Sequence, residues 1–334
     1  MRLHIPSGYS ATLDFHKTQK AIKKIKALFE YEFSKALNLS RITATYFVRS
    51  ESGLNDNLSG KERPIRFDVP DLECNLEIVH SLAKWKRIAL KKHGYSPGEG
   101  IYTDMNAIRR DEVLDNTHSL YVDQWDWEKI IRPEERNIDK LYAVVRTIFE
   151  VFKVVETSLT AEYPTLHRYL PSEIKFISSQ DLEDRYPSLT AKEREDAICK
   201  EYGAVFLTHI GGKNRSGKKH DNRAPDYDDW NMNGDMLFFY PVLGKALEMS
   251  SMGVRVNADS LLAQVKEAKC EERLSLTYHQ DILNNRLPQT IGGGLGQSRM
   301  CMFLLGKAHV GEVQSSIWPD EMVAKCEAAG IPLI

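Results

Sequence analysis

Cysteine is scarce in this chain: Cys74, Cys199, Cys270, Cys301 and Cys326 are the five among 334 residues, widely spaced and never arranged as C-x-x-C. That usage excludes a disulfide-stapled secreted scaffold and offers no zinc-ribbon pattern; it fits reduced thiols in a cytoplasm. Long apolar runs are missing too. Nothing approaches the roughly 20 residues that span a bilayer, and the opening MRLHIPSGYSATLDF lacks the apolar stretch of a signal peptide, so no membrane partner is expected. Nor is one sign of charge in excess: 45 Lys plus Arg stand against 47 Asp plus Glu, a formal net charge of −2. No global field then draws in a polyanion, which argues against a nucleic-acid partner. H-E-x-x-H and G-x-S-x-G are both absent, which leaves no zincin or serine-hydrolase signature. Residue 2 is Arg2, where a glutamine-hydrolysing amidotransferase would carry its cysteine.

What is present reads as a globular enzyme, expected to form a single catalytic domain over residues 1–334 with 42% apolar content to bury. Apolar positions Ile22, Ile25, Phe29, Phe33 and Leu37 recur at helical spacing, predicting a helix over 14–37, with a strand over 42–48 after it. Polar residues over 50–60 put Asp56 and Asn57 on a loop. Leu76, Ile78 and His80 alternate as in a strand, which leads into a basic helical stretch with Lys84, Lys86 and Arg87. The runs 101–108 and 120–127 predict a hairpin with a long turn. Pro133, Glu134 and Glu135 mark the start of a long amphipathic helix, and Thr190 with Glu193 forms a capping box on a second helix that Gly203 stops. Strands are expected over 204–210 and 235–242, then helices on either side of Glu271, with a final structured run over 289–307. The fold class is therefore α+β: a central, mostly antiparallel sheet flanked by helices.

Four stretches bear on chemistry, each open to a plainer reading. In Gly292-Gly-Gly294-Leu-Gly296-Gln-Ser-Arg299 the alternate glycines bare one side of the backbone, where a flat base can approach and Arg299 can meet phosphate. The plainer reading is a glycine-rich turn packing a helix onto a sheet. Gly212 to Lys219 imitates a Walker A loop, but Lys219 replaces the final Ser or Thr and the segment beyond is polar, so it reads as a basic surface loop. The acids Asp226, Asp228 and Asp229 beside Tyr227 and Trp230 can receive an ammonium group or a metal, or form a polar turn. Asp235 and Glu248, with nearby hydroxyls, suit magnesium shared with phosphates; a silent ion pair with Arg255 is the alternative.

Taken together these stretches resemble a known family. The hairpin with Arg109, Arg110 and Glu112, followed by Gly292 to Arg299, looks like motifs two and three of class II aminoacyl-tRNA synthetases, and DQWDWE is similar to the aspartyl and asparaginyl members. A closer resemblance is to the A-type, ammonia-dependent asparagine synthetases, or aspartate–ammonia ligases, which look like a synthetase core without its tRNA-binding domain. It rests on DNLSG at 56–60, VHSLAKWKR at 79–87, YVDQWDW at 121–127, RAPDYDDW at 223–230, SSMG at 250–253 and PQTIGGG at 288–294. The resemblance implies a class II synthetase-like core and synthesis of asparagine from aspartate, ATP and ammonia through a β-aspartyl adenylate, releasing AMP and pyrophosphate. It places Asp56, Lys86, Arg109, Gln124, Asp126, Asp228 and Ser251 around the aspartate, and Arg109, His118, Glu248 and Arg299 around the nucleotide. Asp235 and Glu248 would hold Mg2+. Asp56, Arg109 and Arg299 would act in catalysis, with Asp56 attracting ammonium and accepting its proton, or else only capping a turn. A homodimer in the cytoplasm is implied as well. The rival expectations are a synthetase paralogue that acts on tRNA and a non-catalytic protein that binds aspartate or ATP.

Overall fold

The computed structural model describes residues 3–56, 58 and 62–334. Asn57 and residues 59–60, which belong to the DNLSG stretch and its expected loop, lie outside the described residues, as do residues 1, 2 and 61.

The chain opens with helix α1 (Phe15–Leu37), where the Asp14 carboxylate accepts the Lys17 N–H and Asn38 closes the last turn in a left-handed conformation. Its stripe of Ile25, Phe29, Phe33 and Leu37 is buried as its spacing predicts. The expected strand over 42–48 is instead two short ones, β1 (Leu39–Arg41) and β2 (Phe47–Arg49), in different sheets. The reason lies in the partners: Ile42 N–H bonds Tyr102, whereas the Tyr46 carbonyl accepts from Val79, so this segment carries the chain from one sheet to the other. β3 (Arg66–Val69) and β4 (Cys74–Ile78) complete the small sheet with β2. Helix α2 (Ala83–Lys92) follows, and the hairpin β5 (Gly100–Ile108) with β6 (Tyr121–Ile130) forms where alternation predicts it.

Pro133–Glu135 make only a 3-10 turn; the long helix α3 (Ile138–Glu162) starts later, because Asn137 supplies the cap by accepting the Lys140 N–H. β7 (Lys175–Ser178), α4 (Ser179–Arg185) and α5 (Ala191–Tyr202) come next, α5 with the Thr190–Glu193 capping box and a left-handed Gly203 at its end. β8 (Ala204–Thr208) precedes the longest hairpin, β9 (Asp228–Tyr240) with β10 (Lys245–Arg255). β9 begins seven residues before the expected strand, so Asp228 sits in the sheet and not in a turn. Then α6 (Ala258–Glu267), α7 (Thr277–Leu283), β11 (Thr290–Gly296), α8 (Gln297–Leu304) and α9 (Asp320–Ala328) finish the chain.

Eight strands form one sheet in the order β1-β5-β6-β11-β10-β9-β8-β7. Only the outer pairs β1/β5 and β7/β8 are parallel, so the sheet is mostly antiparallel as expected. One face of its centre packs on α1, α3 and α8: Trp125 and Trp127 of β6 and Phe238 of β9 join Phe29, Phe33, Phe152 and Phe303 in the main core. Phe29 stacks on Trp125 at 5.0 Å. The alternate residues of the same strands therefore point the other way. That second face carries the polar side chains. Among the described residues no helix is long and apolar enough to cross a membrane.

Candidate active site

The polar face of the sheet floors a cavity of about 360 Å³, within the range of small-molecule sites. β6 contributes Gln124 and Asp126, β10 contributes Glu248 and Ser251, β9 begins with Asp228, and Arg299 enters from the first turn of α8. Arg109 and His118 come from the β5–β6 turn, Lys86 from α2 and Asp56 from the loop before β3. Every residue that the resemblance assigns to the site thus lines this cavity except Asp235. Asp235 lies behind Arg223, with which it forms an ion pair, and Arg223 is the residue at the wall.

Strict alternation along a strand would send Glu248 and Ser251, three residues apart, to opposite faces. A register shift between Glu248 and Ser250 inserts an extra residue and brings both to the cavity. Leu247 and Met249 before it, and Met252 and Val254 beyond it, all reach the core.

Gly293, Gly294 and Gly296 line the cavity, while Gly292 and Gly294 stand against protein side chains. A Cβ on Gly292 would stand 2.1 Å from Oε2 of Glu128 and 2.6 Å from an Arg255 guanidinium nitrogen. The bare backbone therefore makes room for protein side chains. Arg255 is the hub there: it donates to both Glu128 oxygens and to Asp228, all three side chains almost fully buried. Burial pushes the Asp228 carboxyl up and Arg255 only partly offsets this, so Asp228 stays above the usual carboxylate range. Sequence reading missed Arg223 and Arg255 as site residues; their proximity to the RAPDYDDW and SSMG stretches was the available signal.

The three acids of that stretch do not act together. Asp228 faces the cavity, Asp229 pairs with Arg136 at 2.5 Å, and Asp226 pairs with Lys84 at 2.9 Å. Lys86 donates to the Gly293 carbonyl at 3.1 Å and contacts Asp126 at 3.2 Å; burial pushes its ammonium below the ordinary value despite Asp126. Asp126 also accepts the Leu82 N–H. Asp56 is buried, accepting from Leu58 N–H and from the Ser81 hydroxyl, each at 2.8 Å.

At the other end, Arg299 donates to the Glu248 carbonyl at 2.8 Å, and His118 is held by Asp115 at 2.9 Å. Arg109 lines the cavity with its Nε buried and without a partner among the described residues, whereas its neighbour Arg110 is exposed and outside the cavity wall. Burial raises the Glu248 carboxyl, but Arg299, Arg223, Lys192 and His118 outweigh it and hold it low. Asp235 goes the other way: burial pushes it up to about 8, past the opposing pull of Arg223, and Glu248 adds to the rise. One Asp235 oxygen has no hydrogen-bond partner among the described residues. Glu248 and the unused Asp235 oxygen are donors of the kind a hard divalent cation takes when it completes its shell with substrate phosphates, but Asp235 is set back from the cavity and engaged by Arg223. Among the described residues no three His, Cys, Asp or Glu side chains are grouped to hold a metal by themselves.

The Gly212–Lys219 stretch is a closed loop, bridged at Lys213 and Lys219, with the Lys219 ammonium 4.3 Å over the Trp230 ring. Lys213 and Lys218 are exposed, as a basic surface loop predicts, whereas Lys219 is half-buried against Trp230.

Residues 16–330 match the family described as aspartate–ammonia ligase. An aspartate–ammonia ligase of Clostridium perfringens is 58% identical over 334 residues, which is 100% of this chain and 99% of that protein. One of Pediococcus pentosaceus is 57% identical over 335 residues, covering 100% of both. Among solved structures, asparaginyl-tRNA synthetase of Pyrococcus horikoshii with asparaginyl-adenylate matches at TM-score 0.66 and 14% identity, over 91% of this chain and 70% of that one. The Entamoeba histolytica asparaginyl-tRNA synthetase, also with asparaginyl-adenylate, matches at TM-score 0.64 and 15% identity, over 90% and 66%. These two establish the class II synthetase fold expected for the core.

Proposed function

This chain belongs to the aspartate–ammonia ligase family, and we propose that it makes asparagine from aspartate and ammonia by way of a β-aspartyl adenylate, acting through its whole length as one catalytic domain. The observation that carries the reading is the polarity of the cavity. Arg299 and Arg223 both act on Glu248, with Asp221 paired to Arg223, and Arg109 lines the cavity with Asp111 and Glu112 beside it, whereas Lys86 lies against Asp126 and Asp228 against Arg255. The group of arginines around Glu248 suits a polyphosphate. The mixed charges around Lys86 and Asp228 suit an amino acid with its ammonium and two carboxylates.

In the first step the side-chain carboxylate of aspartate attacks the α-phosphorus, the bond to the β-phosphate oxygen breaks, and pyrophosphate leaves. Arg109 and Arg299 offset the charge that develops on the α-phosphate, and His118 orients the nucleotide. Asp235 and Glu248 would hold Mg2+, which when bound neutralises phosphate charge and aligns the leaving pyrophosphate. Lys86, Gln124, Asp126, Asp228 and Ser251 fix the aspartate. In the second step Asp56 attracts ammonium and takes its proton; the freed nitrogen attacks the acyl carbon of the mixed anhydride, AMP departs with its oxygen, and the second proton that nitrogen sheds in becoming the amide passes to solvent. Asp56 is buried where such a cation would arrive, next to the Ser81 hydroxyl that orients it.

The five cysteines are all unpaired, which suits work in the cytoplasm. Exposed Phe47 and Phe67, in edge-to-face contact at 5.7 Å, are consistent with a homodimer, which sedimentation velocity would register. The decisive test is incubation with aspartate, MgATP and ammonium, with chromatography for asparagine, AMP and ADP. Stoichiometric AMP, together with aspartate-dependent exchange of pyrophosphate into ATP, is expected; stoichiometric ADP would overturn the adenylate.

A further inference from the structure

One buried charge cluster lies beside the cavity without lining it. Lys84, Asp226 and His279 are 2%, 0% and 0% exposed. An ammonium carries three protons, and Lys84 Nζ meets three acceptors: Asp226 Oδ2 at 2.9 Å, the Gly53 carbonyl at 3.1 Å and the Asn55 carbonyl at 3.1 Å. Two of these acceptors are the backbone leading into Asp56. The third is fixed from behind, since His279 Nε2 lies 3.0 Å and Arg273 3.4 Å from the same Asp226 oxygen.

The rest of the loop is tied in the same direction. The Asn55 side-chain oxygen accepts from Asp56 N–H at 3.0 Å and His80 N–H at 2.8 Å, while its amide donates to Glu77 at 3.0 Å and to the Ile78 carbonyl at 3.1 Å. Gly53 is left-handed and has the Leu276 side chain where a Cβ would stand, so the loop is seated against the start of α7. Removing a lysine and an aspartate from water costs several kcal/mol, and a well-packed apolar pair would serve stability equally well. What an apolar pair could not do is bond two loop carbonyls at once and fix them to the segment that carries Tyr227 and Asp228.

We propose that Lys84 is a positioning residue for the ammonia step: from Asp226 it holds the backbone at 53–55 so that the Asp56 carboxylate stays at the cavity wall. The proposal rests on the reading of Asp56 as the group that receives ammonium. Lys84 itself touches no substrate.

Lys84→Met and the charge-balanced Lys84→Met/Asp226→Leu variant test it, through three measurements. Hydrogen exchange of the amides of residues 53–56 reads the anchoring directly, and is expected to speed up in both variants while the core strands stay protected. Asparagine formation should fall by about a hundredfold, the scale of a misplacement near 1 Å, while aspartate-dependent pyrophosphate exchange stays close to normal. The double variant should regain the melting temperature lost in Lys84→Met without regaining asparagine formation. Unchanged exchange at 53–56 would overturn the proposal, as would equal losses in both reactions, or recovery of asparagine formation together with stability. Failure of the underlying reading appears elsewhere: Asp56→Asn with undiminished asparagine formation removes the ammonia role from Asp56, whatever the exchange at 53–56.

Discussion

Replacing Arg255 by methionine removes a charge from the least solvated part of the site while nearly keeping its length. Arg255 Nε lies 3.0 Å from both Glu128 oxygens, Nη2 donates to Glu128 at 2.7 Å, and Nη1 donates to Asp228. The three side chains are 2%, 0% and 3% exposed, so little water can take over. Lys86 is the nearest other cation in the electrostatics of Glu128, but its ammonium already serves Asp126 and the Gly293 carbonyl. Leaving a buried charge without its partner costs about 3–5 kcal/mol, and here two carboxylates are left.

The pH dependence gives the loss its signature. Burial raises the Glu128 carboxyl and Arg255 outweighs it, holding it below the ordinary value, so in the parent protein Glu128 contributes stability above its unfolded pKa and loses it as pH falls through the lowered folded one. Without Arg255, burial meets the weaker pull of Lys86 on Glu128 and of Arg223 on Asp228, and lifts the folded pKa values of both acids above the unfolded ones. The deficit is then absent only below the lowered folded pKa of Glu128 in the parent, and grows from there through about 4 and on toward neutrality. Urea unfolding followed by the fluorescence of buried Trp125 and Trp127 measures it. A deficit that is small at neutral pH, or equal at about pH 4.5 and about pH 7.5, would refute the reasoning.

Other outcomes follow from the same geometry. Arg109→Ala should lower aspartate-dependent pyrophosphate exchange by roughly 10² to 10³, the scale of a lost transition-state donor, while Arg110→Ala, exposed and off the cavity wall, should leave it intact; the reverse pattern would exchange their roles. Glu248→Gln should raise the magnesium needed for half-maximal exchange and leave aspartate binding by calorimetry nearly as it was, and unchanged turnover at limiting magnesium would reassign Glu248 to a structural part. Asp56→Asn should keep exchange but reduce asparagine formation by roughly 10² to 10⁴, as expected for a lost general base, and equal losses would make it a residue that only shapes the pocket.

Periodicity, caps and motif order were legible in the chain alone. The stripe of α1, the β5–β6 hairpin, the Thr190–Glu193 box and the helix stop at Gly203 all follow from chemistry within a few residues, which is why they could be read there. The site residues came from the family resemblance that those motifs carry together, and all but Asp235 line one cavity. Tertiary structure decided what depends on distant partners. Whether 42–48 was one strand or a crossing between sheets rested on Tyr102 and Val79. The common face of Glu248 and Ser251 needed a register slip that alternation forbids. The glycines at 292 and 294 answer to Glu128, Arg255, Gln124 and Asp126 across the sheet, and Lys84 and Asp226 meet although they are far apart along the chain. A sequence fixes such partners only through the strand order and packing of the whole fold, because the cost of burying a charge is offset by whichever group the fold brings within about 3 Å, however far away it lies along the chain.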